Sequence, residues 1–135
     1  MGAYIEGRFE KKNKEGKWEI ISGGADWFDF QNYFIYGWLA DVRNMAGVPP
    51  LPYKWEKAGR PISYDYDYNY ILDVKVLLDF DYDTLVEDRS GDGRSTLPEG
   101  EGVTASWREH LGEWWFEQLN ILKESGAERL VFNFN

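Results

Sequence analysis

The chain is 135 residues long, about one domain's worth, and its 43% apolar and 29% charged residues are an ordinary globular mixture. It has no cysteine and one histidine, His110, which excludes a disulfide scaffold, a thiolate zinc site, an iron–sulfur cluster, a cysteine nucleophile and a multi-histidine metal centre. The net charge of −9 is concentrated: residues 61–102 hold three basic and eleven acidic residues, against nine and eight in residues 1–60 and three and five in residues 103–135.

Residues 3–10 and 17–22 read as two strands of a hairpin, joined by the polar turn Lys11-Lys12-Asn13-Lys14-Glu15-Gly16. Ser22-Gly23-Gly24 ends the second strand. A helix is expected from near Asp26 or Asp29, since Phe30, Phe34, Trp38 and Val42 lie four apart with Ile35 and Leu39 beside them. Gly37 interrupts that stripe at a cost of about 1 kcal/mol relative to Ala. Asn44-Met45-Ala46-Gly47 and then Pro49-Pro50 supply the stop.

Residues 63–70 alternate, with Tyr64, Tyr66, Tyr68 and Tyr70 on one side and Ser63, Asp65, Asp67 and Asn69 on the other, which predicts a strand with a tyrosine face and an acidic face. Asp73 is placed to cap a short helix through Leu78, and residues 83–102 read as a long polar surface loop. Ser106 and Glu109 have capping-box spacing at the start of the clearest helix, whose stripe is Trp107, Leu111, Trp114, Trp115, Leu119 and Leu122 and whose end is Gly126. Ala127 to Phe134 reads as a final strand. The expectation is one α+β domain over residues 1–135: a mostly antiparallel sheet with about two main helices packed on one face.

Five sets of residues carry candidate chemistry. Asp88, Ser90, Asp92 and Glu99 fall at positions one, three, five and twelve of a calcium-loop pattern, with Gly93 at the sharp turn. A polar loop explains the same residues, so no cofactor is expected and calcium is the one alternative. Asp79, Asp81 and Asp83 would share one face if extended and could hold magnesium, but a solvated acidic edge is the preferred reading of them. His110 has no catalytic constellation around it by spacing and reads as a helix-surface residue. The row Tyr64-Asp65-Tyr66-Asp67-Tyr68 offers rings for stacking or for a protein interface, and Arg43, Arg60 and Arg108 are candidate anion-binding arginines. For Arg43 a helix-end cap is the alternative.

Three stretches carry a resemblance: Asp29-Phe30-Gln31-Asn32-Tyr33 running into Gly37-Trp38-Leu39-Ala40-Asp41-Val42-Arg43-Asn44; Pro98-Glu99-Gly100-Glu101-Gly102 followed by Trp107-Arg108-Glu109-His110-Leu111-Gly112-Glu113; and Arg129-Leu130-Val131-Phe132-Asn133-Phe134-Asn135. Together they resemble a family of small uncharacterised proteins carried by tailed bacteriophages and prophages, over nearly the whole chain. Members often show a histidine–serine repeat where this chain has Tyr64-Asp65-Tyr66-Asp67-Tyr68, so any metal or acid–base role of those histidines is not available here.

The resemblance, by analogy, implies a counter-defence role. The expected function is therefore a non-catalytic, anti-CRISPR-like inhibitor of a bacterial antiviral defence system, acting through the acidic middle region. A sponge for a cyclic or other nucleotide signal and a metal-dependent hydrolase are the alternatives. The expected partner is a defence protein or a nucleotide signal, with self-association into a homo-oligomer left open. The acidic field argues against direct nucleic-acid binding unless a local basic site overcomes it. No apolar run reaches the roughly 20 residues of a membrane span, and Met1-Gly2-Ala3-Tyr4 lacks signal-peptide character, so the expected location is the host cytoplasm.

Overall fold

Asn13 makes the first turn. Its side-chain oxygen accepts from the Glu15 and Lys17 amides at 2.9 and 3.0 Å, and its own amide donates to the Lys17 carbonyl. Such an Asx turn folds the chain back on itself, and strand β1 (Ile5–Lys12) pairs antiparallel with β2 (Trp18–Ile21) as the spacing predicts. The structure, a computed structural model, describes residues 3–21, 30–51, 70–91 and 95–134.

The remaining described elements are α1 (Tyr33–Ala40), β3 (Tyr70–Asp73), α2 (Val74–Asp79), β4 (Leu85–Asp88), β5 (Val103–Ser106), α3 (Trp107–Ser125) and β6 (Arg129–Phe134). A four-stranded sheet has the order β2-β1-β6-β3, and β4 pairs with β5 in a second sheet. Every ladder among them is antiparallel, so the molecule is α+β. The chain divides into two compact units, each assembled from separated segments: Met1–Gln31, Tyr53–Phe80 and Phe116–Asn135 in the first, Asn32–Pro52 and Asp81–Trp115 in the second.

In the first unit β6 is central. Leu130, Val131 and Phe132 are fully buried, and Tyr70 stacks on Phe132 at 5.3 Å with the rings nearly parallel. The register sets Glu10 opposite Arg129 and Arg129 opposite Asp73, so these three lie in one row across three strands. In the second unit the core is aromatic. Trp38 is completely buried, with its ring 5.4 Å from Trp107, 5.3 Å from Trp115 and 6.0 Å from Tyr82. Aromatic pairs at these spacings add about 0.5–1.5 kcal/mol each beyond their buried area.

Several elements differ from the sequence expectation. Helix α1 is shorter than predicted: its N-cap is Asn32, extended at φ −146° and accepting from the Ile35 amide, and it ends where Asp41 turns left-handed at φ 58°. The predicted caps Asp26 and Asp29 lie outside the described residues. The four-residue spacing that runs on to Val42 is outweighed by the Asn44 side chain, which packs against Gly37 and bonds both Asp41 and the Val48 backbone. Residues 83–102 are not all loop, because β4 lies inside them and pairs with β5. Helix α3 breaks at Gly112, at φ 77° and ψ 176°, which resets its phase. Trp107, Leu111, Trp115, Leu119 and Leu122 are buried as expected, whereas Trp114, placed on the same stripe by its spacing, is 38% exposed. No helix among the described residues is long and apolar enough to cross a membrane.

Candidate functional site: an acidic surface on the second unit

The second unit carries ten acidic and four basic residues. Its local structure turns most of those carboxylates outward. Asp41 is the exposed C-cap of α1, and its carboxylate accepts from Asn44 Nδ2 at 2.9 Å. Asp81 opens a turn, accepting from the Asp83 amide at 3.1 Å, and Asp83 points into solvent. Glu99 and Glu101 sit on the exposed turn before β5, and Glu109 and Glu113 are exposed on α3.

Two other acids of the unit serve the fold. Glu87 reaches across its loop to accept from the Gly100 and Gly102 amides at 3.1 and 3.0 Å, one on each oxygen. Asp88 accepts from both the amide and the hydroxyl of Ser90, at 2.9 and 2.5 Å. These bonds close the base of the loop and satisfy backbone donors that β pairing leaves over.

The described arginines of the unit are already engaged. Arg43, itself left-handed at φ 48°, lies with its guanidinium 5.7 Å from the Tyr33 ring centre. Arg89 donates to the Leu97 carbonyl at 2.9 Å. Arg108 pairs with Asp83 at 2.9 Å in an exposed ion pair, a class that contributes at most about 1 kcal/mol. Among the described residues, Asp83 is the one exposed carboxylate of this unit held by a basic side chain. The rest of the field faces water.

The sequence-predicted residues fall as follows. Tyr64, Asp65, Tyr66, Asp67, Tyr68, Arg60 and Asp92 lie outside the described residues. Arg43 and Arg108 are engaged separately, one on a tyrosine face and one on a carboxylate. Asp88 and Ser90 come together, but as partners of each other, and Glu99 is exposed. Among the described residues no three acidic or histidine side chains gather as a metal-binding group. The extended arrangement considered for Asp79, Asp81 and Asp83 is not adopted, because Asp79 is the last residue of α2 and a turn follows Asp81.

His110 is half-buried rather than on the open helix surface. Its Nε2 lies 3.0 Å from the Val86 carbonyl and its ring 5.3 Å from Phe34. Tyr82, which sequence reasoning passed over, is the one group among the described residues with a clearly displaced titration: burial pushes its hydroxyl up to about 12, against the opposing pull of a 3.2 Å bond from Trp115 Nε1 and the charge of Arg108. No local sequence signal marks it, since its partners are 26 to 33 residues away.

No family model, curated protein or solved structure matches the chain.

Proposed function

We propose that the chain is a non-catalytic binding protein whose acidic second unit docks on a basic protein surface. The observation that supports this reading is the set of exposed carboxylates Asp41, Asp81, Glu99, Glu101, Glu109 and Glu113 on a unit whose described arginines each already engage another group of that unit. An exterior with this excess of carboxylates steers a basic partner and rejects polyanions. Taken with the resemblance to phage and prophage proteins, the partner we assign is a component of bacterial antiviral defence, such as a CRISPR effector.

The test is phage plating on bacteria that express the chain beside individual defence systems. Rescue against one system is expected, and the Glu99→Lys, Glu101→Lys, Glu113→Lys triple variant should lose it while melting as wild type does. Rescue by that variant at the wild-type level overturns the acidic surface as the means. Absence of rescue across a broad panel overturns the defence target.

A further inference from the structure

The first unit holds a feature of opposite character. At one end of its four-stranded sheet, where β1 finishes, β2 and β6 begin and β3 runs into α2, lies an open groove of about 600 Å³. That is within the range of about 300–1,000 Å³ usual for small-molecule sites. Three cations line it: Lys12 and Lys75, both exposed, and Arg129.

Arg129 is held in place from two sides. Its Nε and Nη2 both lie 2.7 Å from Glu10 Oε1, and its guanidinium carbon lies 3.8 Å from the centre of the Trp18 ring. Glu10 is completely buried and is shared with Arg8, whose Nε meets Oε2 at 2.5 Å, so one carboxylate serves two guanidinium groups. A guanidinium has a rigid planar fork of five donors. With the Nε and Nη2 edge committed to Glu10, the Nη1 edge has no partner among the described residues, and the side chain keeps 15% of its surface exposed. Fixing the fork in advance removes the ordering cost that an exposed arginine meets on binding. The Lys12 ammonium stands 5.2 Å from the same Trp18 ring, on the strand position opposite it.

Two carboxylates also border the groove. Asp73 is committed to the backbone, accepting from the Lys75 amide at 3.0 Å, and Glu128 is exposed at the rim. With Glu10 and its second partner Arg8 counted beside the lining residues, four cations stand against three carboxylates, so this groove is positive in a chain of net charge −9. Beside the charged groups, Leu78 offers an apolar wall and is 39% exposed.

We propose that this groove binds a phosphate monoester, its oxygens taken by the Nη1 edge of Arg129 and the ammonium groups of Lys12 and Lys75, and its organic part laid against the Leu78 wall. A dianion with three acceptor oxygens suits one fixed guanidinium edge and two mobile ammonium groups. The site lies wholly in the first unit and does not rest on the acidic-surface reading.

The experiment is calorimetry and thermal melting of the full chain at fixed ionic strength, with inorganic phosphate, phenyl phosphate and adenosine monophosphate as probes and sodium chloride as the control. Saturable binding of all three probes is expected, with phenyl phosphate tighter than inorganic phosphate. Lys12→Ala and Lys75→Ala sit on exposed side chains, so the fold should survive them, and each should weaken binding about tenfold, the loss of one charge-assisted contact. Arg129→Lys should abolish binding if the fork edge matters. Three results overturn the proposal: no saturable response to any probe, a response no larger than that to chloride, or undiminished binding in the Lys12→Ala, Lys75→Ala double variant. Equal affinity for phenyl phosphate and inorganic phosphate removes the organic wall from the assignment.

Discussion

Glu10 and Arg129 stand 119 residues apart in sequence and are joined at 2.7 Å, the carboxylate with no exposure at all. Burying a carboxylate is prohibitive unless it is paired and hydrogen-bonded, and here both oxygens are taken, one by Arg129 and one by Arg8. Removing the carboxylate would take this charged partner from two guanidinium groups at once. Glu10→Gln is therefore expected to cost about 3–5 kcal/mol in urea unfolding, the range for breaking a buried pair from one side. Asp83→Asn, which breaks the exposed pair with Arg108, should cost less than about 1 kcal/mol. Equal losses in the two variants would show that Glu10 is not buried as described.

Gly37 gives a prediction whose sign separates two accounts. Helix propensity alone expects Gly37→Ala to gain about 1 kcal/mol, since α1 continues through it. A Cβ there would sit 2.5 Å from Asn44 Oδ1. Asn44 cannot yield cheaply, because its side chain donates to Asp41 and to the Val48 carbonyl and accepts from the Val48 amide, and Val48 is buried. The expected outcome is a loss of about 1–3 kcal/mol, as for other overpacked sites. A gain in melting temperature would mean that Asn44 is not fixed against the helix.

What the sequence made legible was local. Asp73 caps α2 by accepting from the Lys75 amide, and Ser106 caps α3 by accepting from the Glu109 amide; each signal lies within three residues of its effect. The β1–β2 hairpin was readable for the same reason, through Asn13 and Gly16. The β4–β5 pair was not, because Leu85–Asp88 looks like the polar loop around it. What holds that loop is Glu87, reaching 13 and 15 residues along the chain to Gly100 and Gly102. The groove was hidden likewise. Arg8, Glu10 and Lys12 alternate along β1, and nothing local says that Arg129 completes the pairing. The acidic surface was visible as charge, whereas the internal engagement of Arg43, Arg89 and Arg108 was not.

Gly112 breaks a helix that its neighbours would continue. Its φ of 77° with ψ of 176° is a region that glycine alone occupies readily. A Cβ there would meet open space, so the cost of substitution is backbone strain alone. Gly112→Ala should lower stability by about 1–3 kcal/mol, or else force α3 straight. A stabilisation of about 1 kcal/mol, with added helical signal in far-ultraviolet circular dichroism, would show that the break is not maintained.

Tyr82 ties stability to alkaline pH. Its hydroxyl titrates near 10 in the unfolded chain and is raised to about 12 in the folded one, chiefly by burial. Between those values the unfolded state has lost a proton that the folded state keeps, so stability falls as pH rises. The contribution is complete below pH 10 and is lost progressively from pH 10 to about 12. Tyr82→Phe removes the titrating group and should flatten that decline. The variant also deprives Trp115 Nε1 of its acceptor, and Trp115 is fully buried, so it should be less stable than wild type at neutral pH by about 1–3 kcal/mol. The two stability curves should then converge as pH rises through that window. Urea unfolding of both proteins at neutral pH and across the alkaline window checks this, and parallel curves would mean that the Tyr82 hydroxyl is not held away from water.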